Sequence, residues 1–236
     1  MTDYLLFIDT ETSGVPRNLY TPKEKLNQWP YILQIGWLVY TKEGKFIKKE
    51  NHFINTGNIK IARKSAEIHG ITLQLLHDIG KERKDVIQTL FEDIKAYLPM
   101  IVGHFIEFDK RMLDVGFHRA GIENVMQGLP HFCTMRVTSK LNDSVLLGKF
   151  MRLEELHIHL FNKGQVNAHD ALSDAETTAA CFFELKRQGI ITEETILEQQ
   201  NYSYSPIRKR GAFWSILVMA GAFLVFLFVF YLIKKL

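Results

Sequence analysis

The sequence has 236 residues, of which 47% are hydrophobic and 23% are charged, so it can bury the core of one good-sized domain or of two small ones. The formal net charge of +3 is unevenly distributed. Residues 201–236 contain five basic residues and no acidic ones, which leaves 24 basic and 26 acidic residues in 1–200. Bulk charge therefore gives no support for nucleic-acid binding, and such a function has to be argued from a particular site.

The first predicted strand, residues 4–9, leads into the stretch "FIDTETSG" at 7–14, where Asp9 and Glu11 lie two positions apart. Residues i and i+2 of a strand point to the same face, so both carboxylates are directed to one place. Two adjacent anions repel each other unless a cation joins them, and the pair therefore indicates a metal site. A helix N-cap or a surface turn is the alternative, because Asp, Thr, Ser and Gly all favour turns.

Strands dominate the first part of the chain, and helices alternate with a short strand after them. The remaining predicted elements, in chain order, are strands at 32–40 and 45–54, a helix at 83–97, a buried strand at 100–104, a helix from there to about 120, and helices near 152–161, 171–188 and 192–200. This order is typical of an α/β domain whose sheet is antiparallel at first and parallel later.

Three further polar residues lie at the edges of predicted core elements. Asp109 follows the buried strand, in the first turns of a helix, where an acid facing the helix dipole is the alternative interpretation. His169 and Asp174 are five residues apart, about 140° around an ideal helix, so they cannot share a face if both are helical. If Asp170 caps a helix that begins at Ala171, His169 lies in the preceding loop, and both side chains can reach a cleft at the helix N-terminus. A hydrogen-bonded loop histidine is the alternative.

Four carboxylates and one histidine, without clustered cysteines, favour hard cations such as Mg²⁺ or Mn²⁺ over zinc. Two such ions about 4 Å apart suit phosphodiester hydrolysis, because one activates water and the other stabilises the leaving oxygen. A neutral histidine on a loop can take the proton from that water. Asp9 and Glu11 are therefore predicted to be metal ligands.

Three motifs then appear in a fixed order: "DTETSG" with Asp9 and Glu11, "GHFIEFD" with Asp109, and "HDALSD" with His169 and Asp174. Over about residues 3–188 the chain resembles the DEDDh 3′–5′ exonucleases, most of all the epsilon proofreading subunit of bacterial DNA polymerase III. "EIHGIT" at 67–72 and "RLEEL" at 152–156 are also similar to that family. The resemblance implies a ribonuclease-H-like fold, a mixed α/β sheet flanked by helices, and hydrolysis that releases nucleoside 5′-monophosphates from a 3′ end.

The same resemblance implies roles for individual residues. Two divalent cations, Mg²⁺ or Mn²⁺, would be held by four carboxylates, those of Asp9, Glu11, Asp109 and Asp174, with His169 as the general base. The residues expected to bind substrate are Thr10, Thr12, His69, Gly70 and Ile71, of which the last three would lie near the terminal nucleotide.

One position in these motifs departs from the family pattern. The family usually has His-Asn before "xxFD", whereas this chain has His104 followed by Phe105. A phenylalanine cannot form the hydrogen bonds of an asparagine, but a base can stack on its ring. Phe105 is therefore predicted to contact substrate by stacking; the alternative is that it turns inward and packs against Phe108.

The C-terminal part differs in character from the rest. Residues 212–233 contain no charged residue, and at about 1.5 Å per residue they span roughly 33 Å, enough to cross a bilayer. Basic residues flank both ends, and 201–211 is a polar linker with one proline. We expect 212–233 to be a single transmembrane helix rather than a buried core helix, with the domain at 1–200 in the cytoplasm, since the N-terminus has no signal-peptide pattern.

Cys133 and Cys181 lack metal-type spacing and are expected to be reduced.

The sequence thus predicts a metal-dependent 3′–5′ exonuclease that acts on the 3′ ends of single-stranded DNA, with DNA favoured over RNA, and that is tethered to the cytoplasmic face of the lipid bilayer. An exoribonuclease or a short-oligonucleotide hydrolase is the alternative among enzymes. An inactive membrane-bound adaptor is the alternative in another class, and the presence of all five catalytic positions argues against it.

Overall fold

The computed structural model describes residues 2–141 and 150–200, which form a mixed sheet of six strands flanked by helices. The strands are β1 (Tyr4–Thr12), β2 (Ile32–Thr41), β3 (Phe46–Asn55), β4 (Lys81–Glu82), β5 (Met100–Gly103) and β6 (His131–Cys133). Their order across the sheet is β4-β3-β2-β1-β5-β6. The predicted change of direction is confirmed: β1, β2 and β3 pair antiparallel, whereas β5 and β6 run parallel to β1.

The helices that surround the sheet are α1 (Arg63–His69), α2 (Leu73–Ile79), α3 (Arg83–Tyr97), α4 (Ile106–Ala120), α5 (Thr134–Val137), α6 (Leu153–Phe161), α7 (Ala171–Arg187) and α8 (Glu193–Gln200). The predicted helix at 83–97 is confirmed, and the three C-terminal helices differ from the predicted bounds by one residue. The predicted strand at 4–9 is three residues longer than expected. This extension brings Glu11 into the paired part of the sheet.

The alternation of β1 divides the core into two layers, one on each face of the sheet. Leu6 and Ile8 pack in a cluster with residues of α3 and α4. Leu5 and Phe7 pack on the opposite face with residues of α7 and α8. Because odd-numbered residues of β1 face α7, the strand directs Asp9 and Glu11 to the α7 side of the sheet.

Strand β6 lies at one edge of the sheet, and its outer edge is covered by two side chains of α8. The amide of Gln199 accepts from the backbone N–H of Cys133 at 2.9 Å and donates to its carbonyl at 3.1 Å. Gln200 pairs in the same way with His131, at 3.0 and 2.7 Å. The two amides thereby replace a neighbouring strand and protect an edge that would otherwise be open to pairing.

The predicted linker 201–211 and the predicted transmembrane helix 212–233 lie outside the described residues. Within 2–141 and 150–200, no helix combines the length and the apolar character that crossing a bilayer requires. Cys133 and Cys181 are both buried and unpaired with each other, as expected for reduced thiols.

Candidate active site

The end of β1 presents the first two acids to the same side of the sheet. Asp9 lies opposite Gly36 of β2, and Glu11 lies opposite Gln34. Both are half-buried, whereas the alternating residues Thr10 and Thr12 are buried. The predicted shared direction of the two carboxylates therefore follows from the pairing of β1 with β2.

Asp109 is brought to the same end of the sheet by α4, which begins directly after β5. Its side chain is buried, and Oδ1 accepts a hydrogen bond of 2.7 Å from the hydroxyl of Thr10. The contact joins β1 to α4. The hydroxyl of Thr10, a residue expected to contact substrate, is thus used to hold an acid in place.

The N-terminus of α7 supplies the remaining two residues, in the arrangement expected from the sequence. Asp170 caps the helix, because its Oδ1 accepts from the backbone N–H of Ser173 at 3.0 Å. His169 is exposed in the loop before the cap, with a positive φ of 66°. Asp174 lies in the first turn and accepts hydrogen bonds from the backbone N–H of His169, at 3.3 Å, and from the side chain of Gln165.

These elements bring the side chains into one cluster. Potential ligand atoms of Glu11, His169 and Asp174 all lie within 4.8 Å of one another. The charges of Asp109 and Asp174 act on both Asp9 and Glu11, which places all four acids in one electrostatic neighbourhood. The structure therefore brings Glu11, His169 and Asp174 together, and the charges of Asp9 and Asp109 interact with this group.

Burial and the charges of neighbouring carboxylates raise the pKa values of the clustered acids. Desolvation, and then the charge of Asp109, raise the pKa of Asp9 well above the ordinary carboxyl value. Desolvation and the charge of Asp174 raise the pKa of Glu11 to about 8.

The two remaining acids behave in the same way. Desolvation raises the pKa of Asp109 to about 7 against the opposing hydrogen bond from Thr10, and it also raises the pKa of Asp174. The main effects on the pKa values of these four acids come from burial, hydrogen bonds and neighbouring carboxylates, and not from a lysine or arginine. Their oxygen donors suit a hard divalent cation, whose charge would offset the repulsion between them.

The "HGIT" segment is tied to the end of β1 by its histidine. The backbone N–H of Ile71 donates to Nδ1 of His69 at 3.0 Å, so Nε2 carries the proton and donates to the carbonyl of Thr12 at 3.2 Å. Desolvation lowers the pKa of His69, and the charge of nearby His169 lowers it further. Gly70 ends α1 with a φ of 69°, a conformation in which glycine meets no steric penalty. The segment therefore adjoins the acidic cluster, while both ring nitrogens of His69 already have partners within the protein.

The second motif, "GHFIEFD", contains a half-buried histidine and a residue of unusual backbone conformation. Nε2 of His104 lies 3.1 Å from the carbonyl of Met151, Nδ1 lies 3.0 Å from the hydroxyl of Thr134, and burial lowers the pKa of His104 to about 4. Phe105, the next residue, precedes α4 in the left-handed region with φ 72° and ψ 41°. Its half-buried ring stacks on that of Phe108, with centroids 6.4 Å apart and planes 19° apart.

Sequence reasoning missed two residues of β2 that fix the N-terminus of α7. Gln34 is 1% exposed, and its Nε2 donates to Oδ2 of Asp170 at 2.6 Å and to Oδ1 of Asn51 at 3.0 Å, while its Oε1 accepts from the N–H of Ala171 at 3.3 Å. A Cβ on Gly36 would lie 2.4 Å from the backbone nitrogen of Leu172, so α7 packs directly against this glycine. The available signal was a glutamine and a glycine inside the apolar run "ILQIGWLVY".

The chain is similar to known proteins in sequence and in fold. A family model described as Exonuclease (RNase_T) matches residues 6–182. The fold is similar to E. coli exonuclease I in complex with a dT13 oligonucleotide, with a TM-score of 0.64 and 20% identity, over 78% of this chain and 41% of that one. The complex of E. coli exonuclease I with a dA16 oligonucleotide gives a TM-score of 0.63 and 18% identity, over 84% and 42%.

A moderately thermophilic exonuclease I from Methylocaldum szegediense is similar to the same degree, with a TM-score of 0.63 and 18% identity, over 83% of this chain and 42% of that one. The chain spans less than half the length of these solved structures, and at such identities the likeness concerns the fold. The match to the family model covers most of the chain, and the segment it spans includes the four clustered acids and His169. The chain belongs to the exonuclease family that this model represents.

Proposed function

We propose that this protein is a metal-dependent 3′–5′ exonuclease of the DEDDh type, similar to the epsilon subunit, that removes nucleoside 5′-monophosphates from the 3′ end of single-stranded DNA. The observation that carries the proposal is the mutual approach of Glu11, His169 and Asp174 within 4.8 Å, beside two further acids. Paired carboxylates and a loop histidine are the parts that two-metal phosphodiester hydrolysis needs.

The roles of the side chains follow from their positions. Asp9, Glu11, Asp109 and Asp174 would hold two divalent cations, Mg²⁺ or Mn²⁺. Such ions lower the pKa of water and stabilise charge on the leaving oxygen. The Thr10 hydroxyl keeps Asp109 oriented through its 2.7 Å hydrogen bond.

His169 would act as the general base. It lies in an exposed loop beside two of the acids, so its ring can accept a proton from the attacking water and pass it to solvent. The backbone N–H of His169 donates to Asp174, which ties the position of the base to that of a ligand.

Single-stranded DNA is the proposed substrate because solved structures with the same fold are complexes of exonuclease I with dT13 and dA16 oligonucleotides. The terminal nucleotide would lie near the segment of His69, Gly70 and Ile71, which the bond from His69 to the Thr12 carbonyl holds beside the acids. Thr12 is committed to a 2.7 Å bond from its hydroxyl to the Gly14 carbonyl, so its contribution would come from its position in the wall of the site.

We also propose that residues 212–233 anchor the protein in a membrane, with the nuclease domain in the cytoplasm. The support is the uncharged apolar run with basic residues on both sides. Fully extended, the linker 201–211 reaches at most about 36–40 Å, so the enzyme would act on ends that arrive close to the bilayer. Recovery of the full-length protein from the soluble fraction of cells, with no difference from a chain ending at 205, would contradict the anchor.

The activity is tested with full-length protein purified in detergent. Substrates labelled at the 5′ end, namely single-stranded DNA, duplex DNA and RNA, are incubated with Mg²⁺ or Mn²⁺, and with EDTA as the metal-free control. We expect stepwise shortening of single-stranded DNA only with metal, release of 5′-monophosphates, and no shortening when the 3′ end is blocked. Asp9→Asn, which removes one charge at constant shape, is the matched control for a contaminating nuclease. Faster degradation of RNA would redirect the proposal to an exoribonuclease, and no degradation of any substrate would exclude the enzyme.

A further inference from the structure

An open cavity of about 700 Å³ begins where the acidic strand ends. Its lining includes Ser13, which follows directly after Thr12 of β1, together with Arg17, Asn27, Gln28, Tyr31 and Lys60. We name this cavity the 13–31 groove. Its volume lies within the range of about 300–1,000 Å³ that is typical of ligand sites.

Hydrogen bonds join the chain segments that line the 13–31 groove. The backbone N–H of Ser13 donates to the carbonyl of Tyr31 at 2.8 Å, and the N–H of Tyr31 donates to the Ser13 hydroxyl at 2.9 Å. The N–H of Ala62 donates to the Ser13 carbonyl at 2.8 Å, which fixes the segment next to Lys60. The groove is thus continuous with the end of β1.

Arg119 contacts the Trp29–Tyr31 segment of this lining. Its guanidinium donates to the carbonyls of Pro30 at 2.6 Å and Trp29 at 2.8 Å, and it lies 4.0 Å from the ring centroid of Tyr31. Because these donors are already used, Arg119 shapes the groove and does not supply a free cation to it. A preformed groove of this kind avoids the ordering cost of a flexible one.

The charge of the 13–31 groove comes from Arg17 and Lys60. Both side chains are exposed, and neither forms an ion pair or a side-chain hydrogen bond among the described residues. The lining contains no acidic residue, in contrast to the acidic cluster at the end of β1. Asn27 and Gln28 add exposed amides that can donate and accept without requiring one particular base.

We infer that the 13–31 groove holds the part of a single-stranded nucleic acid immediately 5′ of the nucleotide being removed, with Arg17 and Lys60 contacting its phosphates. The inference rests on the proposed function. Two exposed cations that line an open groove fit a polyanionic chain that continues beyond the scissile bond. A free nucleotide would occupy only the terminal subsite, so the groove would contribute nothing to its binding.

The test compares two substrates, of which only one extends beyond the terminal nucleotide into the groove. The 4-nitrophenyl ester of thymidine 5′-monophosphate occupies the metal site and the terminal subsite, whereas a long oligo(dT) also enters the groove. Arg17→Ala/Lys60→Ala is compared with Lys45→Ala/Lys95→Ala in the full-length protein. This control pair removes the same charge from exposed positions at the opposite end of the sheet, in the β2–β3 turn and in the last turn of α3.

For the groove variant we expect the KM for oligo(dT) to rise about tenfold, and the slope of log KM against log salt to fall by about 1.4 for two lost phosphate contacts at about 0.7 each. The KM for the nitrophenyl ester and both kcat values should stay as in the control pair. An unchanged KM for oligo(dT) would overturn the inference, and so would an equal rise of KM for both substrates, because the cations would then serve the terminal nucleotide. If the unsubstituted protein hydrolyses neither substrate, it is the proposed function that fails.

Discussion

The side-chain amide of Gln34 in β2 donates a 2.6 Å hydrogen bond to the carboxylate of Asp170, which caps α7. The two residues are 136 positions apart in the sequence. Through this bond the sheet that presents Asp9 and Glu11 is joined to the helix that presents Asp174. The relative placement of the acids therefore depends on a residue that would not touch substrate or metal.

Replacing Gln34 by Glu should lower kcat by about 10- to 100-fold, because two carboxylates would face each other where the amide donor now lies, and small misplacements of catalytic groups are costly. KM for oligo(dT) should change little, since neither residue lies in the 13–31 groove. Steady-state kinetics on oligo(dT), with thermal unfolding measured in parallel, checks the expected split between kcat and KM.

The matching control exchanges the two chemical groups. In the double variant Gln34→Glu/Asp170→Asn, the amide now on the helix cap can donate to the carboxylate now on β2, while the oxygen of that amide still accepts from the N–H of Ser173. We therefore expect kcat to recover most of the loss. If the double variant is no more active than Gln34→Glu at equal thermal stability, the pairing does not position the site.

The raised carboxyl pKa values predict an unusual dependence of stability on pH. In the metal-free protein the pKa of Glu11 is about 8, against 4.5 ordinarily, so between these values the folded protein holds a proton that the unfolded chain has released. The free energy of unfolding of the metal-free protein should therefore contain a part that falls as pH rises from about 4.5 to about 8. Thermal unfolding in EDTA across this range measures it.

Divalent cations should reverse this trend, because ligands must lose their protons to bind and the stabilisation by Mn²⁺ then grows with pH. Glu11→Gln is the matched control and should show a smaller decline in EDTA and a smaller gain with Mn²⁺. A decline in EDTA that is identical in Glu11→Gln would show that other groups are responsible.

Phe105 is expected to contact substrate by stacking, and its left-handed backbone allows a clean test. Asparagine tolerates that conformation better than most residues, so Phe105→Asn should leave the fold nearly as stable while removing the ring. We expect KM for oligo(dT) to rise about tenfold or more, since stacking on an aromatic ring is worth about 1–3 kcal/mol per base. A large fall in melting temperature with an unchanged KM would instead identify Phe105 as a residue that packs against Phe108, and the loss of such a packing residue typically costs about 3–5 kcal/mol.

Local patterns were sufficient to predict the parts of the site that lie within one element. The two-residue spacing of Asp9 and Glu11 specifies a shared strand face, and Asp170 before an apolar helix specifies a cap, so both arrangements were foreseen. The strands Lys81–Glu82 and His131–Cys133 were not, because two or three residues are too few to show a period. Their existence depends on pairing with distant strands.

Contacts between residues that are distant in the sequence could not be predicted either. The Thr10–Asp109 bond joins residues 99 positions apart, and neither side chain alone indicates the other. The sequence also could not reveal that Phe105 adopts a positive φ, because a bulky residue rarely does so and the conformation is imposed by the connection between β5 and α4.

We propose that the clustered acids bind the catalytic metal and that His169 acts as the base. The most direct test measures Mn²⁺ binding by calorimetry and nucleotide release from oligo(dT) in the same preparations of the unsubstituted protein, Asp9→Asn and His169→Ala. We expect Asp9→Asn to lose both metal binding and activity, and His169→Ala to keep nearly full metal binding while kcat falls by about 10²-fold or more, as for a lost general base. Loss of Mn²⁺ binding in His169→Ala as severe as in Asp9→Asn, or full activity in either variant, would contradict the account.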